Sequence, residues 1–81
     1  MQNDELKNLI EAGLPGADVS VNGDGRHFEA RIISDAFDGK SMIEQHRMVY
    51  AALGDSFATD AVHALSLKTY TPQQWQARTG S

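Results

Sequence analysis

Hydrophobic residues recur at helical spacing near the start of the chain. A helix is predicted from Asn3 to Gly13, and its apolar positions are Leu6, Leu9 and Ile10. Pro15 follows at the distance at which helices commonly end. This first element is therefore amphipathic, with one face to bury.

The pattern then changes to alternation, which is typical of strands. Val19 and Val21 alternate with polar residues, and a second strand is predicted from His27 to Ser34. Between them lies Asn22-Gly23-Asp24-Gly25, and Asn-Gly and Asp-Gly pairs are strong hairpin signals that often need positive φ angles. The two strands are therefore expected to be antiparallel.

A polar loop is predicted from Ser34 to Lys40, followed by a long helix from Ser41 to about Gly54. Ser41 and Glu44 have the spacing of a capping box. The predicted buried stripe consists of Met42, His46, Val49 and Leu53, with Ile43 and Tyr50 beside it. Phe57 suggests a further helical turn.

The last two elements are a strand from Val62 to Tyr70 and a short helix that begins at Thr71-Pro72. His63 shares one strand face with Leu65, Leu67 and Thr69. Trp75 is expected to anchor the final helix. Residues 1–3 and 78–81 are expected to fray.

The predicted order is α-β-β-α-β-α within a single domain of residues 1–81. A right-handed crossover makes the third strand parallel to the second, whereas the hairpin makes the first antiparallel. We therefore predict an α+β fold, a three-stranded mixed sheet covered by helices on one face.

Composition narrows the function classes. The chain has 81 residues, 41% hydrophobic and 22% charged, with a net charge of −4 and no cysteine. Disulfides and thiolate metal sites supplied by this chain alone are excluded, and the negative overall charge does not favour binding to nucleic acid. No signal peptide or membrane span is recognisable, so a cytoplasmic location is expected. Gly39-Lys40-Ser41 lacks the rest of a Walker A motif, and no loop matches an EF-hand.

Two segments resemble the signatures of BolA-like proteins. Phe37 to Ser41 running into Gln45 to Tyr50 is similar to one signature, and Val62 to Pro72 followed by Trp75 is similar to the other. The resemblance extends from Leu6 to Trp75. Gln45 departs from it, since many members carry arginine there. This removes a charge from the candidate nucleic-acid helix and weakens the interpretation as a DNA-binding protein.

The resemblance implies a fold similar to the class II KH domain and a non-enzymatic role. Members partner monothiol glutaredoxins, with which they hold or transfer a bridging [2Fe-2S] cluster in iron–sulfur cluster handling or iron regulation. Some bacterial members are described as DNA-binding transcriptional regulators. A protein-interaction module without metal is a third alternative.

His63 and His27 are the candidate iron ligands that follow from this resemblance. Imidazole is a competent ligand of [2Fe-2S] iron. If the second and third strands are parallel neighbours, both histidines lie at the same end of the sheet, about 4.8 Å apart between strands. Strict alternation places them on opposite faces, because His27 is out of phase with Phe28. The alternatives are a hydrogen-bonded structural histidine at 63 and a surface histidine at 27.

A second group of candidates would contact nucleic acid or a protein partner. It consists of Lys40, His46, Arg47 and Lys68. Lys40 and the start of the long helix suit an anion. The alternative is a partly packed His46 and a solvated Arg47, and acidic neighbours such as Glu44 oppose phosphate.

Overall fold

Three α-helices and three strands make up the part of the chain that the computed structural model describes, residues 3–24, 26–54 and 65–79. In chain order the elements are α1 (Asn3–Gly13), β1 (Asp18–Gly23), β2 (Phe28–Ile33), a 3₁₀ helix (Asp35–Phe37), α2 (Met42–Leu53), β3 (Leu65–Tyr70) and α3 (Pro72–Thr79). The predicted α+β order is confirmed. His63, the predicted strand start at Val62 and the predicted helical turn near Phe57 lie outside the described residues.

The strands form one mixed sheet with β2 in the centre. β1 pairs antiparallel with β2, from Asp18 opposite Ile33 to Gly23 opposite Phe28. β3 pairs parallel with β2, and its first pair is Phe28 with Leu65. The predicted antiparallel pairing of the hairpin and the predicted parallel pairing of β2 with β3 are therefore both confirmed.

The core lies between one face of this sheet and the helices α1 and α2. Its buried residues are Leu6, Ile10, Leu14, Val19, Phe28, Ala30, Ile32, Phe37, Val49, Leu53 and Leu65. The two helices approach closely, because a Cβ atom on Gly13 would lie 2.3 Å from Ala52 Cβ. Glycine at position 13 is thus required by packing rather than by backbone conformation.

The buried stripe of α2 differs from the prediction at its start. Met42 and Ile43 are 68% and 65% exposed, whereas Gln45 is buried with Val49 and Leu53. The capping box is confirmed, since the N–H of Glu44 donates to Ser41 Oγ and Glu44 Oε1 accepts from the Ser41 N–H. A capped first turn projects beyond the edge of the core, and Met42 therefore remains in solvent.

The predicted polar loop from Ser34 to Lys40 contains an anchor. Its 3₁₀ helix starts where the N–H of Ala36 donates to Ser34 Oγ, and it carries Phe37, which is fully buried. One aromatic side chain thus fixes the loop to the core directly before α2.

Helix α3 begins with a second reciprocal cap, between Thr71 and Gln74. Trp75 packs against the sheet face opposite the core. Its ring lies 4.6 Å from the Arg31 guanidinium carbon and 5.2 Å from the Tyr70 ring, so its predicted anchoring role is confirmed.

Two stretches predicted to fray overlap with helices. α1 begins at Asn3, and Arg78 lies in α3 with its guanidinium carbon 5.6 Å from the Tyr70 ring. Among the described ranges, no helix combines the length and apolar character needed to cross a bilayer.

Candidate functional site

His27 lies in the loop that joins β1 to β2, and Asp24 organises this loop. Asp24 Oδ1 accepts hydrogen bonds from the N–H groups of Arg26 and His27, each 2.9 Å long. The N–H of Asp24 donates to the His27 carbonyl at 3.2 Å. This side-chain turn closes the loop upon itself, as short Asp side chains commonly do.

Gly23 allows the two sides of the loop to approach. A Cβ atom at this position would lie 2.6 Å from the His27 carbonyl oxygen and 2.7 Å from Phe28 Cδ1. The positive φ expected from the Asn-Gly motif is not what requires this glycine. In the described ranges, positive φ angles occur at Gly16, Gly39 and Gly54.

The charge of the loop is set by Asp24. Donation by the N–H groups of His27 and then Arg26 lowers the pKa of its carboxyl below the ordinary 3.8, with a smaller contribution from the charge of His27. Asp24 is therefore ionised at neutral pH. The His27 side chain is exposed, and its ring makes no hydrogen bond to the rest of the described chain.

An open hollow of about 340 Å³ lies beside His27. Its lining residues are Asn22, Gly23, Asp24, His27, Phe28, Glu29 and Ser66. Phe28 is the one large apolar residue among them, and the lining of the hollow is mixed polar and apolar and open to solvent. Such a shape suits contact with another macromolecule better than enclosure of a small substrate.

The pairing of β2 with β3 defines the surroundings of this end of the sheet. Phe28, which directly follows His27, pairs with Leu65. His63 lies outside the described residues and precedes Leu65 by two positions in the chain. Across the described ranges, no three His, Cys, Asp or Glu side chains are grouped closely enough to hold a metal.

His27 nevertheless fits a shared cluster as a single donor. Its ring is exposed, both ring nitrogens are without a hydrogen bond inside the described ranges, and its backbone is held by Asp24. A neutral imidazole nitrogen is an accepted ligand of [2Fe-2S] iron. The remaining ligands would come from elsewhere, including a partner that carries thiolates.

The second group of candidates is brought together only in part. Lys40 and Arg47 are exposed and His46 is half-buried around the start of α2. Lys68 lies on the opposite face of the sheet and forms a 3.3 Å ion pair with Glu29.

Acidic charge accompanies the basic residues of α2. The pKa of Glu44 is lowered, first by the N–H and hydroxyl of Ser41 and then by the positive charges of Lys40 and Arg47. Glu44 is therefore ionised beside the two basic residues and reduces their attraction for phosphate.

Gln45 is a residue whose role the sequence interpretation missed. It is 6% exposed, so besides lacking the charge of arginine it has a structural role that the sequence did not indicate. Its amide Nε2 donates to the Lys40 carbonyl at 3.0 Å and to the Phe37 carbonyl at 3.4 Å, and its Oε1 accepts from Thr69 Oγ1 at 2.6 Å. The spacing of Gln45, Val49 and Leu53 along one helix face was the available signal.

Comparisons with known proteins agree with this geometry. A family model described as BolA-like protein matches residues 6–74. The acid stress protein IbaG of Escherichia coli K12 is 36% identical over 75 residues, which cover 93% of this chain and 89% of that protein. The DNA-binding transcriptional regulator BolA of the same strain is 41% identical over 54 residues, covering 67% of this chain and 50% of that protein.

A solved structure shares the whole arrangement. The structure of a BolA protein homologue from Coxiella burnetii superimposes with a TM-score of 0.81 at 44% identity, covering 94% of this chain and 97% of that one. The mixed sheet and the helices on it are therefore those of a known fold.

Proposed function

The chain belongs to the BolA-like protein family, and from that premise we propose that it is a non-enzymatic accessory protein in iron–sulfur cluster handling or iron regulation. It acts as a heterodimer with a monothiol glutaredoxin, and the two proteins share a bridging [2Fe-2S] cluster. In this proposal His63 is one iron ligand and His27 is the second. The names of the relatives describe a stress protein and a regulator, neither of them an enzyme.

The observation that carries this proposal is the exposed His27 ring at the end of the sheet where β3 begins. Phe28 and Leu65 pair there, and they connect directly in the chain to His27 and to the segment that contains His63. The parallel pairing of β2 and β3 supports a common location for the two histidines.

The absence of cysteine divides the ligands between the two proteins. When bound, the cluster supplies redox-active iron and inorganic sulfide. This chain offers neutral nitrogen donors, and thiolates come from the partner, because the chain has no cysteine of its own. His27 binds with its exposed ring, while the open hollow beside it leaves room for the partner surface.

Visible circular dichroism tests this function. The protein is mixed with cluster-loaded monothiol glutaredoxin, and the spectrum is compared among the wild type, His63→Ala, His27→Ala and the control Gln76→Ala, a change of an exposed residue on α3. We expect the first two variants to change the spectrum, because an iron ligand is replaced, and the control to match the wild type. A His63→Ala spectrum identical to that of the wild type contradicts the ligand assignment.

A DNA-binding regulator is the second candidate, and the name of the relative from Escherichia coli favours it. Lys40 and Arg47 at the start of α2 would contact phosphate. The net charge of −4, the ionised Glu44 and the ion pair of Lys68 oppose it. Affinity for promoter DNA should then fall steeply with added salt. Absence of binding at low salt removes this candidate.

A further inference from the structure

The hydrogen bonds of Asp24 hold the backbone of His27 on both its N–H and its carbonyl side. We propose that Asp24 is the positioning residue for His27 as a ligand, an inference that rests on the proposed function. Asp24 does not contact the cluster. Its role is to fix the backbone of His27 before the partner arrives.

Three hydrogen bonds support this role. A single oxygen, Asp24 Oδ1, accepts from the N–H groups of Arg26 and His27, and the carbonyl of His27 accepts from the Asp24 N–H. Both backbone polar groups of His27 are therefore bound to one residue. What is left free in His27 is rotation of its side chain.

On its C-terminal side, His27 is held by the start of strand β2. Phe28 is 7% exposed, begins β2 and is a core residue. Its ring and the His27 carbonyl lie so close to Gly23 that any side chain at position 23 would collide with them. His27 thus stands between a core residue and a closed loop, and this pre-organises the backbone from which the ring projects.

Asp24→Asn and Asp24→Ala separate positioning from charge. Asparagine keeps a carbonyl oxygen at the Oδ1 position and removes the charge, whereas alanine removes the acceptor. Asp18→Ala is the matched control, because Asp18 is an exposed aspartate at the opposite end of β1 and its removal changes net charge equally.

The first measurement concerns the free protein. Amide hydrogen exchange by NMR should become on the order of tenfold faster at Arg26 and His27 in Asp24→Ala, because both amides lose their acceptor oxygen. Exchange in the centre of β2 should not change. Asp24→Asn and Asp18→Ala should keep slow exchange at both amides.

The second measurement is the visible circular dichroism of the cluster-bridged heterodimer during titration with cluster-loaded glutaredoxin. Asp24→Ala should alter the spectrum and weaken partner binding on the order of tenfold. Asp24→Asn should restore both to wild-type values. Rescue by asparagine supports positioning by a hydrogen-bond acceptor, and a merely stabilising residue would leave the spectrum of the bound form unchanged.

The results that overturn the inference differ from those that overturn the function. If His27→Ala changes the spectrum while Asp24→Ala matches the wild type, the positioning role is wrong and the ligand assignment stands. If Asp24→Asn behaves as Asp24→Ala, positioning by an acceptor oxygen is wrong. If His27→Ala itself matches the wild type, His27 is not a ligand and the inference fails together with that part of the function.

Discussion

Replacing Gln45 with leucine should destabilise the protein more than a typical change of a polar helix residue. The amide side chain joins three parts of the fold, namely the loop before α2, α2 itself and β3. The bonds to Lys40 and Thr69 have good lengths of 3.0 and 2.6 Å, whereas the 3.4 Å bond to Phe37 is long and counts little. Leucine fills a similar volume but makes none of these bonds.

The expected loss follows from the two good hydrogen bonds. Each contributes about 0.5–1.5 kcal/mol net, and a buried group left without a partner costs about 1–3 kcal/mol. We therefore expect Gln45→Leu to lower the free energy of unfolding by about 2–3 kcal/mol. Domains are stable by roughly 0.05–0.15 kcal/mol per residue, so this is a substantial fraction of the total.

Urea denaturation followed by Trp75 fluorescence measures this loss. The slope of the free energy of unfolding against urea concentration should not change. Gln76→Leu is the control. Gln76 is exposed on α3, so this substitution should change the free energy of unfolding by less than about 0.5 kcal/mol. Thr69→Val completes a double-mutant cycle with Gln45→Leu. Because the two residues share one bond, their combined cost should fall short of the sum by about 1 kcal/mol.

Two results would refute the reasoning. One is a Gln45→Leu protein as stable as the wild type, and the other is strict additivity with Thr69→Val. Gln45→Glu offers an independent check, because its carboxylate would face two carbonyl oxygens. Burial raises the pKa of that glutamate, so its deficit relative to the wild type should shrink as the pH falls towards about 4.

Other predictions concern packing, pH and stacking. Gly13→Ala should cost about 1–3 kcal/mol by urea denaturation because its Cβ overlaps Ala52. Adding Ala52→Gly should recover only part of the lost stability, since the new Cβ at position 13 would still lie 2.8 Å from the Cα atom of residue 52. A Gly13→Ala protein more stable than the wild type would contradict the close packing. The lowered pKa of Glu44 means that its stabilising contribution is present above its ordinary value of 4.5 and is lost as the pH falls through the lower folded value. The melting temperature of Glu44→Gln should thus lie below that of the wild type near neutral pH and approach it in acid, and a gap independent of pH would disprove this. Arg31→Met should cost about 0.5–1 kcal/mol and change the emission of Trp75 through loss of the cation–π contact. Unaltered emission would show that the contact is not formed in solution.

The elements were predictable because their signals are local. Alternation at Val19 and Val21 and the Thr71-Pro72 start can each be recognised within a few residues, and the structure confirms them. The burial of Gln45 depends on its bonds to the Lys40 carbonyl and to Thr69 Oγ1, and Thr69 lies on a strand 24 positions further along the chain. No local sequence pattern specifies such a set of hydrogen-bond partners. The helical spacing of Gln45 with Val49 and Leu53 did indicate that its side chain faces the core.

Some features of the candidate site were likewise predictable from the sequence, and others were not. The exposure of His27 and its place beside a hairpin follow from the turn motif, and the parallel pairing of β2 with β3 follows from the crossover rule. The register that places Phe28 opposite Leu65 does not follow from that rule. The role of Asp24 does not follow, because the motif indicates a turn without showing which side chain closes it. The separation of Lys68 from the basic residues of α2 required knowledge of which strand face is buried.

The mixed pairing of the sheet also has a consequence for folding kinetics. The β1–β2 hairpin closes a short loop, whereas the parallel contact of β2 with β3 must wait until the long connection through α2 has been closed. The Asp24 turn needs nothing beyond its own hairpin, so it belongs to the fast, local part of the folding reaction. The pairing of β3 is the contact of high contact order, so it is expected to form later, and it places Leu65 opposite Phe28, directly after a loop that local contacts can form on their own.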